Sequence, residues 1–194
     1  MKTVIVKYNA GNVISVMNAL NRLGIKPIIT DDPEELSGAD KVIFPGVGEA
    51  STAMNYLRSR KLDQVLVSLK QPFLGICLGQ QLMCRYSEEN DTKCLGIFDL
   101  DVKKFPPMEK VPHMGWNKLD FNKDHPLFSN APEKTYFYYV NSYYAEVGEE
   151  TIATSDYILP FSAAVQKNNF YAIQAHPEKS GKDGQIILQN FLNL

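Results

Sequence analysis

"PFLGICLGQQL", residues 72–82, sets a cysteine between two glycines where a strand-like apolar run gives way to a helical one. PFLGI (72–76) reads as a buried strand and LGQQLMCRYS (78–87) as the helix that follows. Gly75 and Gly79 stand two positions either side of Cys77, the small-x-nucleophile-x-small spacing of a nucleophile elbow. Such a turn projects one side chain out of the sheet, and the flanking glycines let neighbouring backbone approach without a Cβ clash. The helix after it aims its positive end and free N–H groups at the sulfur, which favours a thiolate. The Leu78 N–H is then placed to hold an oxyanion. The plain alternative is a structural cysteine packed beside two small residues. Cys84, farther along the same expected helix without a glycine frame, is assigned to packing, and Cys94 lies in a polar loop-like stretch.

Outward from this stretch, the first half alternates strand and helix. TVIVKY (3–8) is a strand, followed by NAGN and by Val13, Val16, Met17, Leu20 and Leu23 at helical spacing, closed by Gly24. KPIIT (26–30) is a second strand, DDPEEL (31–36) a capped short helix, and KVIF (41–44) a third strand ending in PGVG (45–48). Helical segments fill 49–69 with an interruption around Arg58–Lys61. This alternation predicts a parallel sheet covered on both faces. GIFDLDVKKF, TYFYYVNSYYAEV, TIATS, SAAVQKN and FYAIQA are strand-like with few helices between them, and DGQIILQNFLNL closes the chain as a helix. An open, mostly parallel α/β sheet with an antiparallel extension in the C-terminal half is expected. No linker is visible, so residues 1–194 read as a single domain.

The 194 residues suffice for one sizeable core, and 44% hydrophobic with 22% charged residues is ordinary for a globular chain. A net charge of −2 without a basic run argues against nucleic acid as a partner. MKTVIVKYNAGN has too short an apolar core for a signal peptide, and no segment approaches the roughly 20 apolar residues a bilayer span needs. A cytoplasmic, reducing location is expected, with Cys77, Cys84 and Cys94 as thiols. Neither a CxxC nor a His-x-x-His pair suggests a metal, and no cofactor is expected.

A thiolate that transfers acyl groups needs a base, and the base needs an orienter. Three histidines are available. His125, in DHPLF, starts a turn at the surface, and His113, in VPHMGWN, is flanked by turn-formers. His176, in AIQAHPEKS, directly follows a strand. Pro177 holds the preceding residue extended, so His176 and Glu178 can face the same side. A carboxylate on one ring nitrogen leaves the other for the thiol, giving a Cys77–His176–Glu178 triad. PGVG ends the strand next in order before the elbow, where open α/β sheets bind ligands, and its backbone near Val47 or Gly48 offers a second oxyanion donor. Each motif alone has a bland reading: a strand-ending turn, a Pro-Gly turn.

Taken together and in this order, PGVG, GICLGQQL and QAHPEKS resemble the class I glutamine amidotransferases, whose fold is flavodoxin-like. NAGN, VPHMGWN (111–117), FYYVNSYYA (137–145) and HPEKSG narrow the resemblance to the glutaminase subunits of imidazole glycerol phosphate synthases. It extends over nearly the whole chain. The resemblance implies that Cys77 is the nucleophile, His176 the base and then acid, and Glu178 the orienter. It implies oxyanion donors at Val47, Gly48 and Leu78, and glutamine held by Gln81, Ser142 and Tyr143. It places Asn12, Trp116 and Lys179 toward a (β/α)₈ cyclase partner in a heterodimer, which consumes the ammonia to make imidazole glycerol phosphate and a carboxamide ribotide in histidine biosynthesis. The PGVG strand is expected to turn into place only when that partner holds its substrate. The chain departs from the family at Lys7 and Asn9, where the pattern has Asp and Gly, at Asn141 for His, and at Ala175 for Phe. A paralogue feeding a synthase that modifies surface sugars, a cysteine peptidase or hydrolase on the same fold, and a non-catalytic or redox-sensing thiol module are the competing readings.

Overall fold

The computed structural model describes residues 1–9 and 11–194, so within NAGN Ala10 lies outside the described residues. The first half runs β1 (Thr3–Val6), α1 (Val13–Arg22), β2 (Ile28–Thr30), α2 (Pro33–Ser37), β3 (Lys41–Gly46), α3 (Ala50–Ser59), α4 (Leu62–Ser68), β4 (Phe73–Cys77) and α5 (Leu78–Met83). The second half runs β5 (Tyr86–Ser87), β6 (Thr92–Lys93), β7 (Asp101–Lys104), β8 (His113–Lys118), β9 (Asp120–Phe121), β10 (Tyr136–Asn141), β11 (Tyr143–Ala145), β12 (Thr151–Tyr157), β13 (Leu159–Lys167), β14 (Phe170–Ile173) and α6 (Gly181–Asn193).

Eight strands form one sheet in the order β2-β1-β3-β4-β14-β13-β12-β9. Pairings from β2 through β14 are parallel, and those from β14 outward to β9 are antiparallel. The expected mixed sheet is therefore present, with the junction between its two parts at β14. Strand alternation sorts the core residues by face. Val4, Val6 and Phe44 join Leu57, Leu66 and Leu82 of α3, α4 and α5 in one cluster. Ile5, Ile43 and Ile76 join Val16 and Leu20 of α1 and Ile187, Leu188 and Phe191 of α6 in the other. Burial of each such side chain contributes about 1.5–3 kcal/mol, so the two layers clamp the sheet from both sides.

Local signals explain most boundaries. Asp32 caps α2 by accepting the Glu34 N–H at 2.8 Å, with Pro33 at the first helical position. Glu49 caps α3 by accepting from the N–H groups of Ser51 and Thr52. Hydrogen bonds from the Ser51 and Thr52 side chains lead the causes that lower its carboxyl to about 2.

Four expectations change. The helix after the elbow stops at Met83 instead of reaching residue 87, because Cys84 is extended and Arg85 turns to donate its N–H to Leu100. Cys84 is nevertheless fully buried, as its packing assignment requires. PHMGWN is a strand, β8, paired antiparallel with β10 in a separate two-stranded ribbon. TYFYYVNSYYAEV breaks at Ser142, where β10 ends and β11 enters a small sheet of order β11-β7-β5-β6. FYAIQA supplies a parallel strand inside the sheet: Ala172 packs in one cluster and Ile173 in the other, so β14 is covered on both faces.

Candidate active site

Three parallel strands deliver the site. Gly46 at the end of β3 is in register with Cys77 at the end of β4, and Ile173 of β14 is in register with Ile76. PGVG, the elbow and the segment leading to His176 thus emerge together at adjacent carboxyl ends. Cys77 has φ 54° and ψ −109°, a strained conformation that fits a sharp strand-to-helix turn. Glycine is required at 79, where a Cβ would sit 1.8 Å from the Phe44 carbonyl oxygen. It is required also at 46, where a Cβ would meet the Tyr8 hydroxyl at 2.0 Å. That hydroxyl donates to the Pro45 carbonyl at 2.7 Å and tethers PGVG to the loop after β1. The tether is doubled by the Gly11 N–H donating to the Val47 carbonyl at 3.3 Å.

His176 is fully buried, and its Nδ1 lies 2.7 Å from Glu178 Oε1. Asn12 donates its side-chain amide to the same Glu178 oxygen and lies 3.4 Å from His176 Nδ1. The backbone is equally constrained: the His176 N–H donates to the Tyr138 carbonyl at 2.9 Å, and the Ser180 hydroxyl donates to the His176 carbonyl at 2.7 Å. His176 Nε2 has no aligned hydrogen-bond partner and faces the nucleophile electrostatically. Burial opposes a charge on the imidazole, but the Cys77 thiolate and then Glu178 outweigh it and lift His176 to about 10. The site thus favours the charged form of the imidazole. Tyr8 is buried in the same neighbourhood. Desolvation, joined by the charge of Cys77, pushes its phenol well above the usual range.

A cleft of about 320 Å³ opens at these strand ends. Val47, Gly48, Cys77 and Leu78 line it from the sheet side, with Gln81, Ser142 and Tyr143 also in its lining. Every residue expected to contact substrate or oxyanion therefore borders one cavity. His176 and Glu178 do not line it and are buried. Gln81 is also buried: its amide donates to the Tyr143 carbonyl and to Gln174 Oε1, each at 2.9 Å. Trp116 is 58% exposed and Lys179 is exposed, both outside the cleft, whereas Asn12 is committed to the triad.

The sequence reading missed Glu89 and Gln174. Glu89 also lines the cleft, accepts the Ala50 N–H at the start of α3 at 2.7 Å, and is raised by burial. Its only sequence signal is an acidic residue in SEEND, indistinguishable from a solvated turn. His113 and His125 stay out of the chemistry. His113 is buried and stacked on Tyr157 and Tyr139, and His125 caps a short 3-10 turn at Pro126–Phe128. Of the departures, Asn141 lines the cleft and donates to the Tyr143 carbonyl, and Asn9 donates to the Thr52 carbonyl. Ala175 is fully buried in the core beside His176, and Lys7 is exposed.

An elbow cysteine and a buried His–Glu pair at the strand ends of a mixed sheet make up the nucleophile, base and orienter of a cysteine-dependent acyl-transfer enzyme. The family model of class-I glutamine amidotransferases matches residues 5–194, and the chain belongs to that family. Among curated relatives it is 56% identical over 197 residues to the imidazole glycerol phosphate synthase subunit HisH of Bacteroides thetaiotaomicron, covering 100% of both chains. The subunit HisH of Pasteurella multocida is 47% identical, over 97% of this chain and 96% of that one. Within the class, the chain thus falls among the HisH subunits. Solved structures share the fold: a glutamine amidotransferase at TM-score 0.77 and 19% identity, covering 98% of this chain and 97% of that one, and PurLQS from Thermotoga maritima at 0.71 and 18%, covering 99% and 97%.

Proposed function

We propose that the chain is the glutaminase subunit of an imidazole glycerol phosphate synthase, a single domain over 1–194 that hydrolyses glutamine and passes the ammonia to a (β/α)₈ cyclase partner. The observation that carries this reading is the alignment of PGVG, Cys77 and His176 at three adjoining strand ends. Cys77 Sγ attacks the side-chain amide carbon of glutamine, and the oxyanion is held by the Leu78 N–H and a donor of Val47 or Gly48. The His176 imidazolium gives its proton to the leaving nitrogen, which departs as ammonia and leaves a γ-glutamyl thioester. Neutral His176 then takes a proton from water as the water attacks the thioester, releasing glutamate and restoring the thiolate–imidazolium pair. Glu178 holds the ring through Nδ1, and Asn12 holds Glu178. Gln81, with the backbone of Ser142 and Tyr143, orients the substrate, and Glu89 offers a carboxylate to its ammonium.

Ammonia released to bulk water at neutral pH is protonated and lost as a nucleophile, so a partner must cover the cleft. The ribbon of β8 and β10 suits this task. Trp116 lies opposite Tyr138, and Met114 opposite Val140, a residue that also lines the cleft. Met114 and Trp116 are both exposed, which makes an apolar surface next to the site. With Lys179 in the Pro177–Lys179 turn packed against β10, this ribbon is the proposed seat of the cyclase. Among the described residues no helix is long and apolar enough to cross a membrane, and the three cysteines are free thiols, which suits the proposed cytoplasm. The HisH relatives favour neither a sugar-modifying paralogue nor a cysteine hydrolase.

Cys77→Ala tests the reading in the assembled synthase. It is expected to abolish glutamine-dependent synthesis while ammonia-dependent synthesis by the partner continues. Retained glutamine-driven turnover rejects it.

A further inference from the structure

We propose that Gln174 is a further catalytic residue, whose side-chain N–H holds the Cys77 sulfur as a thiolate; this rests on Cys77 being the nucleophile. Gln174 is fully buried directly after β14, and its own N–H is fixed to the Ala163 carbonyl of β13 at 2.8 Å. Its Nε2 lies 3.6 Å from Cys77 Sγ, the one hydrogen bond to that sulfur among the described residues.

The direction of this bond follows from an upstream chain. The Tyr143 carbonyl can only accept, so the amide group of Gln81 turned toward it must be the NH₂. That NH₂ also donates to Gln174 Oε1 at 2.9 Å, which fixes the second amide and leaves its NH₂ facing the sulfur. Reversing Gln174 would set NH₂ against NH₂ and an oxygen against a thiolate. The chain bends at Gln174 and Ala175 directly after β14, and Ala175 is packed into the core between the two site residues. Two groups thus act on the sulfur: the His176 imidazole, coupled to it electrostatically and able to exchange protons, and the Gln174 amide, hydrogen-bonded to it and unable to. Cys77 is only 6% exposed, and a buried thiolate needs a donor in place of water.

The test uses the synthase complex and iodoacetamide, with modification at position 77 followed by mass of the cysteine peptide. Cys84 and Cys94 are poor competitors, since burial raises both thiols. Gln174→Met keeps the volume and removes the donor. Alkylation at pH 7 is expected to slow about tenfold, with its pH profile displaced to the alkaline side, and kcat for glutamine to fall by a similar factor at little-changed KM. Gln174→Glu keeps the acceptor for Gln81 and sets a carboxylate against the sulfur, so it should be slower still. It also decides the matter if the Met variant fails to fold. Either folded variant with the parent's alkylation rate and pH profile overturns the proposal, because a purely structural glutamine would leave the sulfur unchanged. Cys77→Ala run in parallel separates the two readings: glutaminase activity in that variant sinks the nucleophile assignment itself.

Discussion

At the scale of single residues, the buried surroundings of His176, Cys77 first and Glu178 after it, set the protonation state on which the chemistry depends. The imidazole is raised to about 10, against desolvation, by the Cys77 thiolate and Glu178. A group whose folded value is raised contributes stability that is fully present below its unfolded value of roughly 6.5 and lost as pH climbs through the folded one. Glu178→Gln removes one of the two supports. The pH at which the ring discharges, followed by NMR of the His176 imidazole, is expected to fall from about 10. Glutamine-dependent kcat should drop by about 10²–10⁴-fold, by analogy with triads that lose their orienting carboxylate. An unmoved titration would show that Glu178 does not govern the ring. The His–Pro–Glu spacing made this pair legible in the sequence, but the pair meets through a 3-10 turn at Pro177–Lys179 that starts directly after His176, and not through the extended chain that was expected. Glu89 and Gln174 were illegible for the opposite reason. Each acquires its meaning from segments far along the chain, Ala50 in one case and Cys77 with Gln81 in the other.

At the scale of elements, the elbow works because α5 presses against β3. A methyl group at position 79 would lie 1.8 Å from the Phe44 carbonyl, a backbone atom that cannot swing aside. Gly79→Ala should cost about 3 kcal/mol or more in urea unfolding, since overpacking against backbone forces the helix off the strand. Loss below 1 kcal/mol would mean that helix and strand are not closely apposed. Both glycines were legible from spacing alone, and so was the alternation of β1 to β4 with their helices, since period and capping are local properties. The extent of α5 was not, because Cys84 leaves the helix for contacts with the loop that precedes β7. PHMGWN read as turn because of Pro112 and Gly115, and only its partner strand makes it β8.

At the scale of the whole molecule, the apolar ribbon joins the cleft to the outside. Trp116→Ala should weaken the cyclase complex by about 2 kcal/mol, roughly 30-fold in Kd by calorimetry, as for a buried aromatic anchor. The isolated chain should melt unchanged, because the indole is largely exposed. An unaltered Kd would move the interface elsewhere. The mixed character of the sheet was legible in the helix-poor second half, but the parallel join of β14 to β4 was not, since no local pattern reports a pairing between such distant segments. That join has a consequence for biosynthesis. In a chain still on the ribosome, the edge of β4 that β14 covers stays open until β14 and the histidine behind it have been translated. Such a fragment lacks the proton carrier, so an unfinished polypeptide consumes no glutamine, and the enzyme switches on only when its sheet is zipped shut.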